Sequence, residues 1–198
     1  MCRVLLIRHA EHPLIGQKLV GRDDATVHLS ETGRQQAAAL ADSLADEAID
    51  CLQSSPRLRC IETAGALAAP FDLPVLVASA LDEVDFGAWT GLAFDTLHGD
   101  PRWHAWNAHR VRTRPPGGES MAEVRRRVLR HLEQISRRYP SGTVAMVTHA
   151  EIIRAVRLHR ADLSPDAWHA IDVPPASVTA VEMAPRGVRQ EFLEAAAS

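Results

Sequence analysis

Cysteine is scarce in this chain of 198 residues, and its three cysteines are not arranged in pairs. Cys2, Cys51 and Cys60 form an odd set without the spacings of a disulfide framework. Such a set is typical of free thiols in a reducing compartment. The N-terminus shows no apolar core of a secretory signal, because Arg8 and His9 interrupt it early. We therefore predict a cytoplasmic protein.

Long apolar runs, a strong net charge and metal-ligand spacings are also missing. No apolar stretch approaches the roughly 20 residues that cross a bilayer. The formal net charge is −3, so charge gives no reason to expect binding to nucleic acid or to an anionic membrane. The histidines and cysteines include no His-x-His or Cys-x-x-Cys pair, and we predict no metal site.

Strand and helix signals alternate along the chain, a pattern typical of a mostly parallel sheet covered by helices. Apolar runs predict strands at residues 3–7, 49–53, 73–78, 143–148, 178–182 and 188–192, the last two forming a hairpin around residues 185–187. We predict a three-layer α/β/α sandwich, with an antiparallel strand at one edge of the sheet.

Helical periodicity and capping residues predict the helices between these strands. One helix is predicted after Ser30, and a second begins with the Ser-Ser-Pro cap at residues 54–56. A third is predicted near residue 100. A long helix runs from Ser120 to an end at Gly142, and the last begins near Glu151. We predict a single domain over residues 1–198. Residues 80–117 are interpreted as an insertion on the substrate side.

Charged and imidazole side chains follow the ends of three predicted strands. Arg8 and His9 follow the first strand, residues 54–59 follow the second, and His149 follows the strand at 143–148. The carboxyl ends of parallel strands meet at one edge, where two helix N-termini also favour an anion. Arginine and histidine side chains there suit the oxygens of a phosphoryl group.

Phosphoryl transfer to a histidine also requires a proton for the leaving oxygen, and hence an acid. Glu83, in an acidic loop that continues into aromatic residues, is the best candidate for this acid. Asp82, Asp85 and Glu11 are its competitors. Of these, Glu11 is expected to have a structural role, paired with an arginine in or near the pocket.

Five segments, in this order, resemble the histidine phosphatase superfamily, which is also called phosphoglycerate-mutase-like. The segments are LIRHAE at residues 6–11, SSPRLRCIETA at 54–64, LDEVDFGAWTG at 81–91, GGES at 117–120 and VTHA at 147–150. Each segment alone is weak, but five in order at suitable distances are a specific pattern. The resemblance covers about residues 3–160.

The resemblance implies a role for each matching residue. His9 would be the nucleophile that becomes phosphohistidine. Arg8, Arg59 and His149 would hold the phosphate oxygens and stabilise the transition state. Glu83 would protonate the leaving group and then activate water. The resemblance also implies that no metal or organic cofactor takes part.

The chain departs from the family pattern around the first histidine. Ala10 and Ala150 stand where glycine is common, His12 stands where a small hydroxyl residue is usual, and the following loop has no asparagine. His12 is either a substrate contact or an exposed loop residue. Gly21 and Ala150 are further candidate substrate contacts.

Several residues of the predicted insertion have two interpretations. Trp103 and Trp106, with His104 and His109, either form an aromatic lid over the substrate or pack the insertion onto the domain, and we favour packing. The arginines that follow either meet an anionic group of the substrate or lie in a solvated loop; they are Arg110, Arg112 and Arg114.

Two other features carry mainly structural interpretations. Cys60, beside Arg59, is predicted to be a buried helix cysteine rather than a reactive thiol. The arginines of the long helix are expected mostly to line its solvated face; they are Arg125, Arg126, Arg127, Arg130, Arg137 and Arg138.

The sequence therefore predicts a hydrolase that acts on the phosphomonoester of a small phosphorylated metabolite. A phosphomutase, which returns the phosphoryl group to a second hydroxyl, is an alternative. The resemblance implies a larger insertion in the family's mutases, so the shorter insertion of this chain favours access of water. A non-catalytic protein that binds a phosphorylated ligand is another. An edge strand or the final hairpin could support a homodimer.

Overall fold

The computed structural model of the protein describes residues 1–22 and 26–183. Its strands are β1 (Cys2–Arg8), β2 (Ile49–Ser54), β3 (Val75–Val77), β4 (Thr143–Thr148) and β5 (Val178–Met183). They form one sheet in the order β3-β2-β4-β1-β5. The pair β1–β5 is antiparallel and the other pairs are parallel, which confirms the prediction. The strand predicted at 188–192 and its turn lie outside the described residues.

The α-helices of the described residues all lie between β1 and β5 in the chain. They are α1 (Glu31–Ser43), α2 (Leu58–Phe71), α3 (Phe94–His98), α4 (Pro101–Ala108), α5 (Met121–Arg138) and α6 (Ala150–Arg160). Short 3-10 helices are found at Ser79–Leu81, Gly87–Trp89 and Pro165–Ala170.

The strand β1 shows how the helices divide into two layers. Its side chains alternate between the two faces of the sheet, as the period of a strand requires. Val4 and Leu6 belong to a core shared with α5 and α6, whereas Leu5 and Ile7 belong to a core shared with α1 and α2. The predicted three-layer sandwich is confirmed.

Capping residues and one close contact fix the loop that follows β1. The Ser30 hydroxyl caps α1 by accepting a hydrogen bond from the Gly33 amide. A Cβ atom at Gly33 would lie 2.0 Å from the backbone oxygen of Glu11, so only glycine lets the loop approach this helix. The loop is thereby held against α1 directly after the predicted nucleophile.

Some predicted boundaries were wrong. The helix α2 begins at Leu58 with Arg57 as its N-cap, rather than at the Ser-Ser-Pro segment, because the Ser55 hydroxyl is engaged by His149. The helix α5 ends at Arg138, four residues before Gly142. The strand β3 has three residues, because it pairs only with the end of β2.

Candidate active site

Three strand ends place the predicted residues at one edge of the sheet. Arg8 ends β1 opposite Thr148 of β4, and the His9 amide donates to the Thr148 carbonyl at 2.9 Å. His149 follows β4 directly, and Arg59 lies in the first turn of α2. These elements form one end of a cleft with a volume of about 270 Å³.

We call Arg8, His9, Arg59 and Glu83, which line this end of the cleft, the inner wall. Two guanidinium groups, one imidazole and one carboxyl group thus meet in a confined space. His149 is fully buried directly behind this wall and does not itself line the cleft.

The hydrogen bond of His9 fixes which ring nitrogen is free. Its Nδ1 lies 2.8 Å from the carbonyl oxygen of Ala10, and a carbonyl can only accept. Nδ1 therefore carries the hydrogen, and Nε2 carries the lone pair. Burial, reinforced by the charges of Arg59 and Arg8, holds the pKa of His9 well below its usual value. The ring is neutral and nucleophilic at neutral pH.

His149 has the opposite tautomer. Arg59 Nη2 donates to its Nδ1 at 3.1 Å, so its Nε2 carries the hydrogen and donates to the Ser55 hydroxyl at 2.8 Å. Burial and the charge of Arg59 hold the pKa of His149 well below its usual value. Its Nδ1 also lies 3.5 Å from Glu83 Oε2. His149 thus connects the arginine and the carboxyl group of the inner wall.

Both arginines of the inner wall are held by backbone carbonyl groups. Arg59 Nη2 donates to Gly21 O at 2.9 Å, and Arg8 Nη1 donates to Val173 O at 2.6 Å. Arg59 is almost completely buried. Two fixed guanidinium groups at the same end of the cleft match the charge of a phosphate dianion.

The carboxyl group of Glu83 titrates near neutral pH. Burial raises its pKa to about 7, although the charge of Arg59 and a hydrogen bond from the Val84 amide oppose this rise. At such a pKa the group can donate a proton in one step and accept one in the next. The environment of Glu83 therefore suits an acid that later acts as a base.

A charged network holds the backbone of Glu83. Its carbonyl oxygen accepts hydrogen bonds from Arg22 Nε at 2.8 Å and Arg127 Nη2 at 3.0 Å. Glu119 joins the two arginines, at 2.6 Å from Arg22 Nη2 and 3.0 Å from Arg127 Nε. The sequence assigned Arg127 to a solvated face. Its position three residues after the buried Val124 was the available signal that it lies near the core.

The competing carboxyl groups are engaged elsewhere. Asp82 pairs with Arg57 at 2.8 Å, and Asp85 accepts from the Gly87 amide at 2.9 Å. Neither lines the cleft. Glu11 was expected to pair with an arginine, and this was wrong. Its carboxylate accepts from the Ser30 hydroxyl at 2.8 Å, because the loop lies against the start of α1.

His12 is a buried part of the cleft, and the alternative of an exposed loop residue was wrong. Its ring stacks on His9 with 5.3 Å between centroids. The Leu14 amide donates to its Nδ1 at 3.3 Å, which leaves the hydrogen on Nε2. Burial and the charge of Arg59 lower the pKa of His12 to about 4, so the ring stays neutral.

The alanines that replace glycines cause no backbone strain. Among the described residues, the non-glycine residues with positive φ are Asp72, Asp162 and Ala176, so neither Ala10 nor Ala150 adopts that conformation. The Ala10 amide donates to Thr63 Oγ1 at 3.0 Å. Ala150 and Gly21 both line the cleft, as expected of candidate substrate contacts.

A second group of the residues that line the cleft is aromatic or charged, and we call it the outer wall. It consists of Trp103, Trp106, Arg110, Glu151 and Arg154. Trp103 and Trp106 are buried and stack with 5.4 Å between centroids, so they pack this region and line the cleft at once. His104 and His109 are exposed and outside the cleft, so they form no lid with the tryptophans.

Arg110 differs in its position from Arg112 and Arg114, the two arginines that follow it in the sequence. Its guanidinium carbon lies 4.0 Å from the centroid of Trp106 and 4.1 Å from that of Trp168. Arg112 and Arg114 are exposed and do not line the cleft. Of these three arginines, Arg110 alone is thus placed where it could meet a substrate.

The family model of the histidine phosphatase superfamily (branch 1) matches residues 4–195. The chain belongs to this superfamily. A phosphoserine phosphatase of Hydrogenobacter thermophilus is 34% identical over 160 residues, which cover 79% of this chain and 74% of that protein. A mycobacterial glucosyl-3-phosphoglycerate phosphatase, solved in complex with VO3, superimposes with a TM-score of 0.81 and 28% identity. That match covers 91% and 90% of the two chains.

The chain spans about half the length of the first curated relatives that it matches. A bifunctional protein of Mycobacterium tuberculosis is 34% identical over 183 residues, which cover 91% of this chain and 50% of that protein. The superfamily domain therefore also occurs as part of a longer chain.

Other features of this histidine phosphatase chain concern its cysteines and possible metal ligands. Cys60 is buried, with its Sγ 3.5 Å from His149 Nε2. Within residues 1–22 and 26–183, no group of three or more histidine, cysteine or acidic residues could hold a metal ion. In the same residues no helix is both long and apolar enough to span a membrane.

Proposed function

We propose that the chain is a phosphomonoester hydrolase that acts through a phosphohistidine on His9. The observation that carries the proposal is the hydrogen bond from His9 Nδ1 to the Ala10 carbonyl, which leaves Nε2 as the nucleophile. This nitrogen belongs to a cleft that also contains two arginines and a carboxyl group with a pKa of about 7.

In the first step, a bond forms between His9 Nε2 and phosphorus while the ester P–O bond breaks. Arg8 and Arg59 bind the non-bridging oxygens and stabilise the charge of the transition state. Protonated Glu83 gives its proton to the leaving oxygen, which departs as an alcohol. His149 keeps Arg59 and Glu83 in place, and the His12 Nε2–H donates to a phosphoryl oxygen.

In the second step, water attacks the phosphorus of phosphohistidine. Ionised Glu83 accepts a proton from this water while the water oxygen bonds to phosphorus and the N–P bond breaks. Inorganic phosphate leaves, His9 is neutral again and Glu83 is again protonated. The two arginines supply the positive charge that a metal ion supplies in other phosphatases, so the proposal includes no metal or organic cofactor.

The substrate in this proposal is a small phosphorylated metabolite. The relatives named as phosphoserine phosphatase and glucosyl-3-phosphoglycerate phosphatase support this class. A single domain over residues 1–198 with a substrate-side insertion, a cytoplasmic location and a homodimer remain predictions. The three free, buried cysteines are consistent with a reducing compartment.

The proposal is tested by hydrolysis of p-nitrophenyl phosphate and by trapping of the intermediate under alkaline quench. We expect wild type to release phosphate and to gain the mass of one phosphoryl group on His9. His9→Ala should lose both, with a rate at least about a thousandfold lower. The matched control is His109→Ala, which removes an exposed histidine outside the cleft.

Three outcomes would count against this proposal. Equal rates for wild type and His9→Ala would remove the phosphohistidine from the mechanism. Transfer of the phosphoryl group to a second hydroxyl, without release of phosphate, would identify a mutase. Binding of phosphate esters without turnover would identify a binding protein.

A further inference from the structure

The cleft contains more positive charge than one phosphate group requires. Of the charged residues that line it in the described part of the chain, five are cations and two are carboxylic acids. Arg8 and Arg59 of the inner wall balance a phosphate dianion. Among the lining residues, Glu151 is then the one carboxylate left to oppose Lys18, Arg110 and Arg154, and Asp166 acts on Arg110 from outside the cleft. Since the chain as a whole has a net charge of −3, this surplus is local to the cleft.

Arg110 is a fixed charge rather than a mobile surface arginine. It is 3% exposed, lies between the indoles of Trp106 and Trp168, and its Nη1 bonds to Glu151 Oε2. Its Nη2 donates to Asn107 Oδ1 at 3.2 Å. The two indoles contact both faces of this guanidinium group, and Nη1 and Nη2 are both hydrogen-bonded. Its charge is therefore fixed at the cleft, and little side-chain entropy is lost when a ligand binds nearby.

Glu151 is already paired with two arginines. Its Oε2 accepts from Arg110, and its Oε1 accepts from Arg154 Nη1 at 2.8 Å. Asn107 Oδ1 also accepts from Arg110. Because the cations in this part of the cleft outnumber its one carboxylate, the local charge repels an ammonium group.

Two other cations retain donors for a ligand. Arg154 bonds through Nε to Ile171 O and through Nη1 to Glu151, while its Nη2 makes no hydrogen bond with a described residue. Lys18, the only lysine of the chain, is exposed at the cleft and forms no ion pair with a described residue. Both side chains can bind an anion directly, and Arg110 adds charge behind them.

The surface around these cations is largely apolar. Ile15, Leu19, Phe94 and Trp103 line the same cleft. Such a surface suits the uncharged carbon skeleton of a substrate, and it is unfavourable for an ammonium group.

We infer that the substrate carries a second anionic group, a carboxylate or a second phosphate, and no ammonium group, and that Lys18 and Arg154 bind this group. The inference rests on the proposed phosphatase function and narrows its substrate class. The inner wall performs the reaction, and Arg154 of the outer wall selects the substrate together with Lys18.

The experiment uses alkyl phosphates with carbon chains of two, four and six atoms that differ only in the far end group. The end groups are methyl, carboxylate, ammonium and a second phosphate. At the best chain length we expect kcat/KM for the carboxylate or bisphosphate ester to exceed that of the methyl ester by about tenfold. The ammonium ester should be slower than the methyl ester. The differences in kcat/KM between the charged esters and the methyl ester should become smaller at high salt.

Variants then identify the residues that cause the preference. Lys18→Met should lower the ratio of carboxylate to methyl ester about threefold, as expected for an exposed ion pair. Arg154→Met should lower it about tenfold, because this arginine is mostly buried. The control is Arg112→Met, which removes an exposed arginine outside the cleft and should leave the ratio unchanged. Thermal melting verifies that each variant folds, and Lys18→Met tests the inference even where Arg154→Met does not fold.

The outcomes separate this inference from the function on which it rests. If wild type hydrolyses neither these esters nor p-nitrophenyl phosphate, the proposed function fails and the inference with it. Hydrolysis with equal kcat/KM for all end groups, or with a preference for ammonium, would overturn the inference alone. Faster hydrolysis of the bisphosphate than of the carboxylate ester would support it and identify phosphate as the second anion.

Discussion

The inner and outer walls of the cleft use buried charge in different ways. On the inner wall, burial moves the pKa values of His9 and Glu83 away from their usual values and favours the neutral form of each group. On the outer wall, Arg110 is paired with Glu151 and enclosed by two indoles. Ionisation of Glu83 in its buried site thus costs stability, whereas on the outer wall it is the removal of one partner that costs stability, because a buried charge is left uncompensated.

The largest effect is expected from Glu83→Gln on the inner wall. Without a proton donor, hydrolysis of an alkyl phosphate should fall by about 10²–10⁴ in kcat. Hydrolysis of p-nitrophenyl phosphate should fall less in its first step, since nitrophenolate leaves without a proton. Rates for both substrates, with the exposed Glu31→Gln as control, provide the measurement. An unchanged rate for the alkyl ester would remove Glu83 from the mechanism.

The stability of the two walls should respond to substitution in opposite directions. The folded-state pKa of Glu83, about 7, exceeds its usual value of 4.5. The folded protein therefore holds a proton that the unfolded chain releases, and stability falls as pH rises from about 4.5 to about 7. At pH 8, Glu83→Gln should be more stable than wild type by up to about 3 kcal/mol, with little difference at pH 4.

Arg110→Met, on the outer wall, should instead lower stability by roughly 2 kcal/mol at pH 8, because a buried carboxylate loses one of its partners. The loss is limited because Arg154 still binds Glu151. Urea unfolding at both pH values measures both variants. A Glu83→Gln effect that is the same at pH 4 and pH 8 would contradict the raised pKa.

Arg127 lies outside the cleft, but Arg127→Met should still alter the pH dependence of the reaction. The charge of Arg127 lowers the pKa of Glu83, so its removal should shift the alkaline limb of kcat/KM to higher pH. Loss of the hydrogen bond to the Glu83 carbonyl should also slow the reaction roughly tenfold. Arg126→Met, an exposed neighbour on the same helix, is the control. A slower enzyme with an unshifted limb would indicate a structural role only.

The smallest effect is expected from His12, which stacks on His9 of the inner wall. His12→Phe keeps a ring against His9 but removes the Nε2–H donor, worth about 1 kcal/mol. KM should rise roughly fivefold with kcat nearly unchanged. Because the pKa of His12 is about 4, the pH profile above pH 5 should not change. A lost acid limb would show that His12 itself titrates in the reaction.

The residues of the inner wall could be predicted because each follows a recognisable strand or helix start. Arg8 and His9 end an apolar run, and Arg59 opens a helix beside the end of a second strand. The topology of a parallel sheet brings such ends together whatever the details of packing. Glu83 was placed on the more general ground that phosphoryl transfer needs an acid near the other groups.

The outer wall could not be predicted in the same way. Arg110 and its two sequence neighbours look alike, and only packing against Trp106 and Trp168 distinguishes it. Trp168 comes from a 3-10 helix and lies 58 residues after Arg110 in the chain. Contacts between short, irregular elements leave no periodic pattern in a sequence, because no regular backbone geometry repeats them.

The sequence by itself determined the sheet, the superfamily resemblance and the order of the reactive groups, since periodicity and strand ends follow from the backbone. The tertiary structure alone decided which nitrogen of His9 is free, that Glu83 titrates near neutral pH, and that Arg110 but not Arg112 belongs to the cleft. Tautomers, pKa values and pocket membership depend on distances between groups that are remote in the chain. Those distances exist only once the layers have packed together.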